Sequence, residues 1–72
     1  ARSLTERVRR SLPQPLRDHV LSANRRGEEL VVLVDSAAWS AQVRYAGRRL
    51  IDALHEAGQP PFEKVRVRVR RP

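Results

Sequence analysis

The chain has 72 residues and a formal net charge of +7, from 15 Lys and Arg against 8 Asp and Glu. This length allows one modest hydrophobic core, so we expect a single domain over residues 1–72. The absence of cysteine excludes disulfides and thiolate metal sites. No apolar run reaches the roughly 20 residues of a membrane-spanning helix, and no signal-peptide pattern opens the chain. We therefore expect a soluble, cytoplasmic protein without membrane contact.

Arginine supplies 14 of the 15 basic residues. Its planar guanidinium group suits phosphate and stacks on bases, so the positive excess favours a nucleic-acid partner. The alternative is that the arginine content reflects only the coding bias of the source organism. Composition alone leaves both explanations open.

Two short helices are predicted at the start of the chain. Ser3 and Glu6 fit a capping box, in which the Ser3 hydroxyl accepts a hydrogen bond from the backbone N–H of Glu6. The first helix ends at Pro13, because a proline ring disrupts a helix interior. Pro15, whose fixed φ suits a first helical turn, starts a brief second helix that runs to about His19. The apolar residues at helical spacing in the first helix are Leu4, Val8 and Leu12.

A β-hairpin is predicted next. Residues 20–25 alternate weakly between apolar and polar, and residues 30–34 form a continuous apolar run. Gly27 lies between them, where a hairpin turn requires a positive φ. The second strand is apolar on both faces, as expected of a central strand that is covered on both sides. Its second face is therefore covered either by the N-terminal helix or by a partner.

A long helix is predicted after this strand. Asp35 or Ser36 can cap its start with a side-chain oxygen. An apolar stripe at helical spacing continues through Gly47 without a change of phase, so we predict one helix over residues 36–57, bent at Gly47. Gly58 fits the cap position at its end. The stripe consists of Trp39, Val43, Ala46, Leu50, Leu54 and Ala57.

The clearest pattern in the chain is the alternation of valine and arginine over residues 65–70. It predicts a half-buried strand with the valines inward and the arginines facing solvent. A phosphate backbone would screen the repulsion among these arginines, which makes the strand a candidate nucleic-acid site. The alternative is protection of a sheet edge against pairing with another sheet. The candidate nucleic-acid-binding residues are Lys64, Arg66, Arg68, Arg70 and Arg71 on this strand, with Arg44 and Arg48 on the long helix.

Together these elements predict an α+β domain in which a three-stranded sheet packs against a long helix, with a short helix at the N-terminus. The run Val-Asp-Ser-Ala-Ala-Trp-Ser-Ala-Gln-Val-Arg-Tyr at residues 34–45, followed by a helix and the Val-Arg-Val-Arg-Val strand, resembles the DciA family of bacterial replicative-helicase operators. Residues 12–21 are similar too, so the resemblance covers nearly the whole chain. It implies a KH-like domain that helps to bring the replicative helicase onto single-stranded DNA when replication starts.

The resemblance carries two further expectations. Family members usually have a flexible basic region outside this domain, and none is present here, so we expect the chain to be a fragment of a longer protein. Members also often have a proline near the position of Gly47, where the helix breaks in two.

The mode of nucleic-acid contact follows from what the sequence lacks. An RNA-binding KH module clamps the nucleic-acid backbone with a Gly-x-x-Gly loop, and this chain does not contain that motif. Nor do aromatic residues alternate with the basic strand. We therefore expect electrostatic, sequence-tolerant binding.

Three residues are candidates for contact with a protein partner. Trp39 is in phase with the apolar stripe, so its first interpretation is core packing and its second an exposed anchor for the helicase. Tyr45 falls off the stripe and, with Arg49, is a candidate surface contact. His19 and His55 are isolated, and no group of side chains suits metal binding or nucleophilic catalysis. We expect no enzyme, no metal and no cofactor.

Two hypotheses for function follow. The first is an adaptor that recruits the replicative helicase and assists its loading on single-stranded DNA. The alternative is a stand-alone nucleic-acid-binding module for RNA or single-stranded DNA.

Overall fold

Short helices alternate with the strands of one small sheet in the computed structural model, which describes residues 3–70. This arrangement confirms the predicted α+β class with a three-stranded sheet, and it is consistent with a small KH-like fold. In chain order the elements are α1 (Leu4–Ser11), α2 (Leu16–His19), β1 (Val20–Arg26), β2 (Glu29–Val34), α3 (Ala37–Tyr45), α4 (Gly47–Glu56) and β3 (Lys64–Val69).

The sheet is mixed, with strand order β1-β2-β3. β1 and β2 pair in antiparallel fashion around the predicted hairpin turn, where Gly27 adopts a φ of 61°. β3 pairs with β2 in parallel, which requires the long helical connection between them. The apolar run of β2 is therefore the central strand, as predicted, and the valine–arginine strand lies at an edge.

Alternating residues of β2 separate the two faces of the sheet. Leu30, Val32 and Val34 are fully buried, whereas Val31 and Leu33 are only partly buried. The buried face meets the helices in one core cluster. The remaining buried members of that cluster are Val8, Leu12, Val20, Ala23, Val43, Leu50, Leu54 and Phe62.

The N-terminal helix packs on this same cluster rather than on the second face of the sheet. Val8 and Leu12 are buried in the core. Thr5 also reaches the free edge of β1, where its hydroxyl accepts from the N–H of Ala23 at 3.0 Å and donates to the carbonyl of Ala23 at 3.3 Å. The prediction that the N-terminal helix covers the second face of β2 is therefore wrong. Val31 and Leu33, on the second face, are only partly buried.

The predicted long helix is two helices, which corrects our single-helix interpretation. α3 ends at Tyr45, Ala46 has φ −81° and ψ −2°, and α4 begins at Gly47. The apolar stripe keeps its phase across the break, so periodicity cannot reveal it. Gly47 is buried, and a Cβ atom there would lie 3.5 Å from the Cβ of Val65 on β3. α3 and α4 both contact β3, and helical periodicity does not report such packing.

The helix ends agree with the predicted caps at two of three places. The Ser3 hydroxyl accepts from the N–H of Glu6 at 3.2 Å, as the capping box requires. Gly58 has a φ of 92° and follows Ala57, the C-cap residue of α4. The helix therefore ends at a glycine, as predicted. Ser36 occupies the N-cap position of α3, but its side chain makes no capping hydrogen bond. Asp35 does not cap α3 either, because its carboxylate binds His19.

Candidate functional site

Strand β3 presents its arginines to solvent, as its alternating sequence predicts. Arg66, Arg68 and Arg70 are exposed, and the valines between them are partly buried against the core. The N–H of Arg70 donates to the carbonyl of Val34 at 2.9 Å, so the backbone stays beside β2 one residue beyond the strand. Alternate residues on a strand are about 6.5 to 7 Å apart, which gives a regular line of positive charge. Arg71, predicted to extend this line, lies outside the described residues.

One carboxylate interrupts this positive line. Glu29, the first residue of β2, accepts a hydrogen bond from Nε of Arg66 at 3.1 Å, and its other oxygen lies 3.8 Å from Nζ of Lys64. The Glu29 side chain is 17% exposed, whereas those of Lys64 and Arg66 are mostly exposed. The side chains of Arg68 and Arg70 make no hydrogen bond or ion pair with residues 3–70. The first half of the line is therefore paired and the second half is open.

Helix α3 adds one of the predicted basic residues to this strand. Arg44 lines a shallow surface groove of about 400 Å³ together with Glu29, Lys64 and Arg66. Arg48 is exposed on α4 and does not line this groove. We call Arg44, Lys64, Arg66, Arg68 and Arg70 the basic edge.

A second groove lies on the other side of α3. It has a volume of about 360 Å³ and is walled by the connection between α1 and α2 and by the α3–α4 junction. Tyr45, which is 86% exposed, and Arg49 both line it, so the structure brings these two predicted partner-contact residues together. We call this the helical groove, lined by Ser11, Leu12, Pro13, Leu16, Gln42, Tyr45, Ala46 and Arg49.

Trp39 does not lie in the core, which corrects its first interpretation. It is partly buried and is not part of the core cluster. Its indole instead stacks on the imidazole of His19, with ring centroids 4.2 Å apart and planes 12° from parallel. One turn along α3 from Trp39 is Gln42, which lines the helical groove, so Trp39 lies close to that surface.

His19 is not isolated, contrary to the sequence interpretation. Its Nδ1 lies 3.0 Å from both carboxylate oxygens of Asp35, and the N–H of Asp35 donates to the carbonyl of His19 at 3.1 Å. The hairpin register explains this contact. Val20 pairs with Val34, so the residues that flank this pair are neighbours. A regular register continued from the two-residue turn would place Val20 opposite Asp35, so the contact depends on the irregularity between Val20 and Ser22, which the sequence does not reveal.

Several arginines serve the fold rather than a partner, which the sequence analysis missed. Nε of Arg17 donates to the carbonyls of Arg9 and Leu12, at 2.9 and 3.2 Å, and so satisfies the end of α1. The guanidinium group of Arg25 lies 3.8 Å from the ring centroid of Phe62 and donates to the carbonyl of Pro60. Charge alone therefore overstates the number of arginines available to nucleic acid.

The part of the chain that the structure describes contains neither a metal site nor a membrane-spanning helix. No group of His, Cys, Asp and Glu side chains there is arranged to hold a metal ion. No helix among residues 3–70 has the length and apolarity to cross a membrane.

Comparison with known proteins identifies the family. The family model described as "Dna[CI] antecedent, DciA" matches residues 1–67, which is most of the chain. No curated protein matches the sequence. The match includes residues 34–45 and confirms the resemblance to this family. The chain belongs to the DciA family, and this membership implies a role in DNA replication and helicase loading in bacteria.

Proposed function

We propose that this domain recruits the replicative helicase and assists its loading on single-stranded DNA, which the basic edge contacts through phosphates. The observation that carries the DNA contact is the pair of exposed arginines, Arg68 and Arg70, whose side chains bind no other group among residues 3–70. Like charges at about 7 Å spacing repel one another, and a polyanion laid along the strand removes that repulsion. Release of counterions from the DNA adds to the affinity.

The contact is expected to be tolerant of sequence. The described residues of β3 contain no aromatic side chain on which a base could stack. Contacts to phosphate position a nucleic acid but do not read its bases. Arg44, Lys64 and Arg66 extend the positive surface beside the strand, around the carboxylate of Glu29 that lines the same groove.

We assign the helicase contact to the helical groove and to Trp39 beside it. Tyr45 and Arg49 are of the residue types that dominate interface energetics, and the groove supplies partly apolar walls. Arg44 and Tyr45 are neighbours in sequence, yet they line different grooves. DNA and helicase can therefore occupy the domain together, as a loader requires.

Titration of labelled single-stranded DNA across a salt series, read by fluorescence anisotropy, tests the DNA contact. Each phosphate contact contributes roughly −0.7 to the slope of log K against log salt, so contact by Arg68 and Arg70 alone gives about −1.4, and contact by all four arginines of the basic edge gives about −2.8. The double variant Arg68→Ser with Arg70→Ser should flatten this slope and weaken binding to all sequences alike. Arg9→Ser with Arg10→Ser removes the same charge from exposed positions of α1 and is the matched control. Equal losses in the two variants would show that only net charge matters.

The helicase contact is tested by capture of purified replicative helicase on the immobilised domain. Tyr45→Ala with Arg49→Ala should reduce capture while leaving the DNA titration unchanged. Loss of capture in the Arg68→Ser, Arg70→Ser variant instead would place the helicase on the basic edge. DNA binding without any helicase capture would favour the alternative of a stand-alone nucleic-acid-binding module, which the basic edge alone supports.

A further inference from the structure

Glu29 holds a special position within the basic edge. The strand register places it opposite Lys64 of β3 on one side and Arg26 of β1 on the other. It is the carboxylate that lines the groove shared with Arg44 and Arg66. Its side chain is mostly buried, and both of its oxygens face cations of β3. This carboxylate thus occupies the place where an anion from outside would bind.

We propose that Glu29 is an internal competitor of DNA phosphate, which limits the affinity of the basic edge and directs phosphate to Arg68 and Arg70. This inference rests on the DNA contact proposed above. Carboxylate and phosphate oxygens accept the same charge-assisted hydrogen bonds from guanidinium and ammonium groups. A phosphate can use Arg66 fully only after the bond between its Nε and Glu29, 3.1 Å long, is broken or shared.

The geometry makes this competition local. Glu29 contacts Lys64 and Arg66, and no hydrogen bond or ion pair joins it to the side chains of Arg68 or Arg70. The negative charge therefore weakens one end of the basic edge and leaves the other end free. Single-stranded DNA that is bound only by Arg68 and Arg70 dissociates more readily than DNA bound along the whole basic edge. Such release suits a protein that transfers DNA to a helicase.

The variant Glu29→Gln tests the proposal, because glutamine keeps the size of the side chain and an oxygen for Nε of Arg66 but removes the charge. Glu56→Gln on α4 changes the net charge equally, at an exposed site with no contact to the basic edge. We expect Glu29→Gln to bind single-stranded DNA more tightly than both wild type and Glu56→Gln. If Glu29→Gln neutralises one more phosphate than wild type, the ratio of its affinity to that of wild type should fall about fivefold as salt rises from about 50 to about 500 mM.

A double-mutant cycle shows whether the gain acts through the paired cations. In a background with Lys64→Ser and Arg66→Ser, Glu29→Gln should give no more gain than Glu56→Gln. Circular dichroism melting of each variant separates changes in binding from loss of fold.

The remaining outcomes distinguish this inference from the proposed function. No binding of DNA by wild type at low salt would overturn the DNA contact itself. In another outcome, the Arg68→Ser, Arg70→Ser variant binds DNA more weakly than wild type, but Glu29→Gln and Glu56→Gln change the affinity by the same amount. This outcome would support the DNA contact and overturn the competition by Glu29. Weaker binding by Glu29→Gln than by wild type would also overturn it, because Glu29 would then orient Arg66 toward phosphate.

Discussion

His19 and Trp39, twenty residues apart in sequence, form a stacked pair with ring centroids separated by 4.2 Å. The imidazole also lies 3.0 Å from the carboxylate of Asp35. His19 thus connects three junctions: the end of α2, the turn after β2 and the first turn of α3. Trp39 is held at the surface by this contact, beside the helical groove, rather than in the core.

His19→Ala removes both the stack and the bond to Asp35. We expect a loss of unfolding free energy of about 1 kcal/mol, since stacked aromatic pairs contribute about 0.5 to 1.5 kcal/mol. Urea titration followed by fluorescence measures this loss, because Trp39 is the only tryptophan. Helicase capture should weaken while DNA binding stays constant. His55→Ala, at an exposed position of α4, is the control and should change neither quantity.

Gly47→Ala is expected to stabilise the domain by about 0.5 kcal/mol. Alanine has the higher helix propensity, and its Cβ would meet Val65 at 3.5 Å, an ordinary contact distance. Gly27→Ala should instead lower the unfolding free energy by about 1 kcal/mol, because the φ of 61° is unfavourable for a residue with a Cβ. Chemical denaturation of both variants measures the change in unfolding free energy and shows whether each substitution stabilises or destabilises the domain. Destabilisation by Gly47→Ala would mean that the α4–β3 contact leaves no room for a methyl group.

Thr5→Val should lower the unfolding free energy by about 1 to 3 kcal/mol. The substitution keeps the shape of the side chain but leaves the N–H of Ala23 without its acceptor at the β1 edge. Thr5→Ser retains the hydroxyl and should recover most of the loss. Native-state hydrogen exchange at Ala23 provides the local measurement, with faster exchange in Thr5→Val alone. Equal exchange in both variants would contradict the role of the hydroxyl.

Arg25→Ala should destabilise the fold by about 1 to 2 kcal/mol without changing the salt slope of DNA binding. The substitution removes the guanidinium contact with Phe62 and the bonds to the loop before β3. Its exposed neighbour Arg26 is the matched control, and Arg26→Ala should have a smaller effect on unfolding. A flatter salt slope in Arg25→Ala would show that this arginine contacts phosphate after all.

Much of the architecture could be predicted because local patterns and tertiary packing agree. The alternation over residues 65–70 is a period of two that only a half-buried strand satisfies, and Gly27 and Gly58 occupy positions where φ is positive. The family resemblance then gave the KH-like expectation and the possibility of a helix break. The break at Ala46 itself depends on packing against β3, and helical periodicity does not report such a contact.

The candidate site was only partly predictable for a similar reason. The exposure of Arg66, Arg68 and Arg70 follows from strand alternation. The pairing of Glu29 with Arg66 depends on which strand lies beside β3 and in which register, and neither is encoded locally. Nor does sequence distinguish Arg17 and Arg25, which bind backbone carbonyls, from arginines free for a partner.

The parallel pairing of β2 with β3 links the binding surface to the folding of the domain. Glu29 and Arg66, which meet across it, are 37 residues apart in the chain, and both helices α3 and α4 lie between them. Closing so long a segment is entropically costly and slow, so β3 is expected to join the sheet late in folding. The basic edge therefore exists only in the completed domain. By mass action, a polyanion that binds there raises the melting temperature of the whole protein.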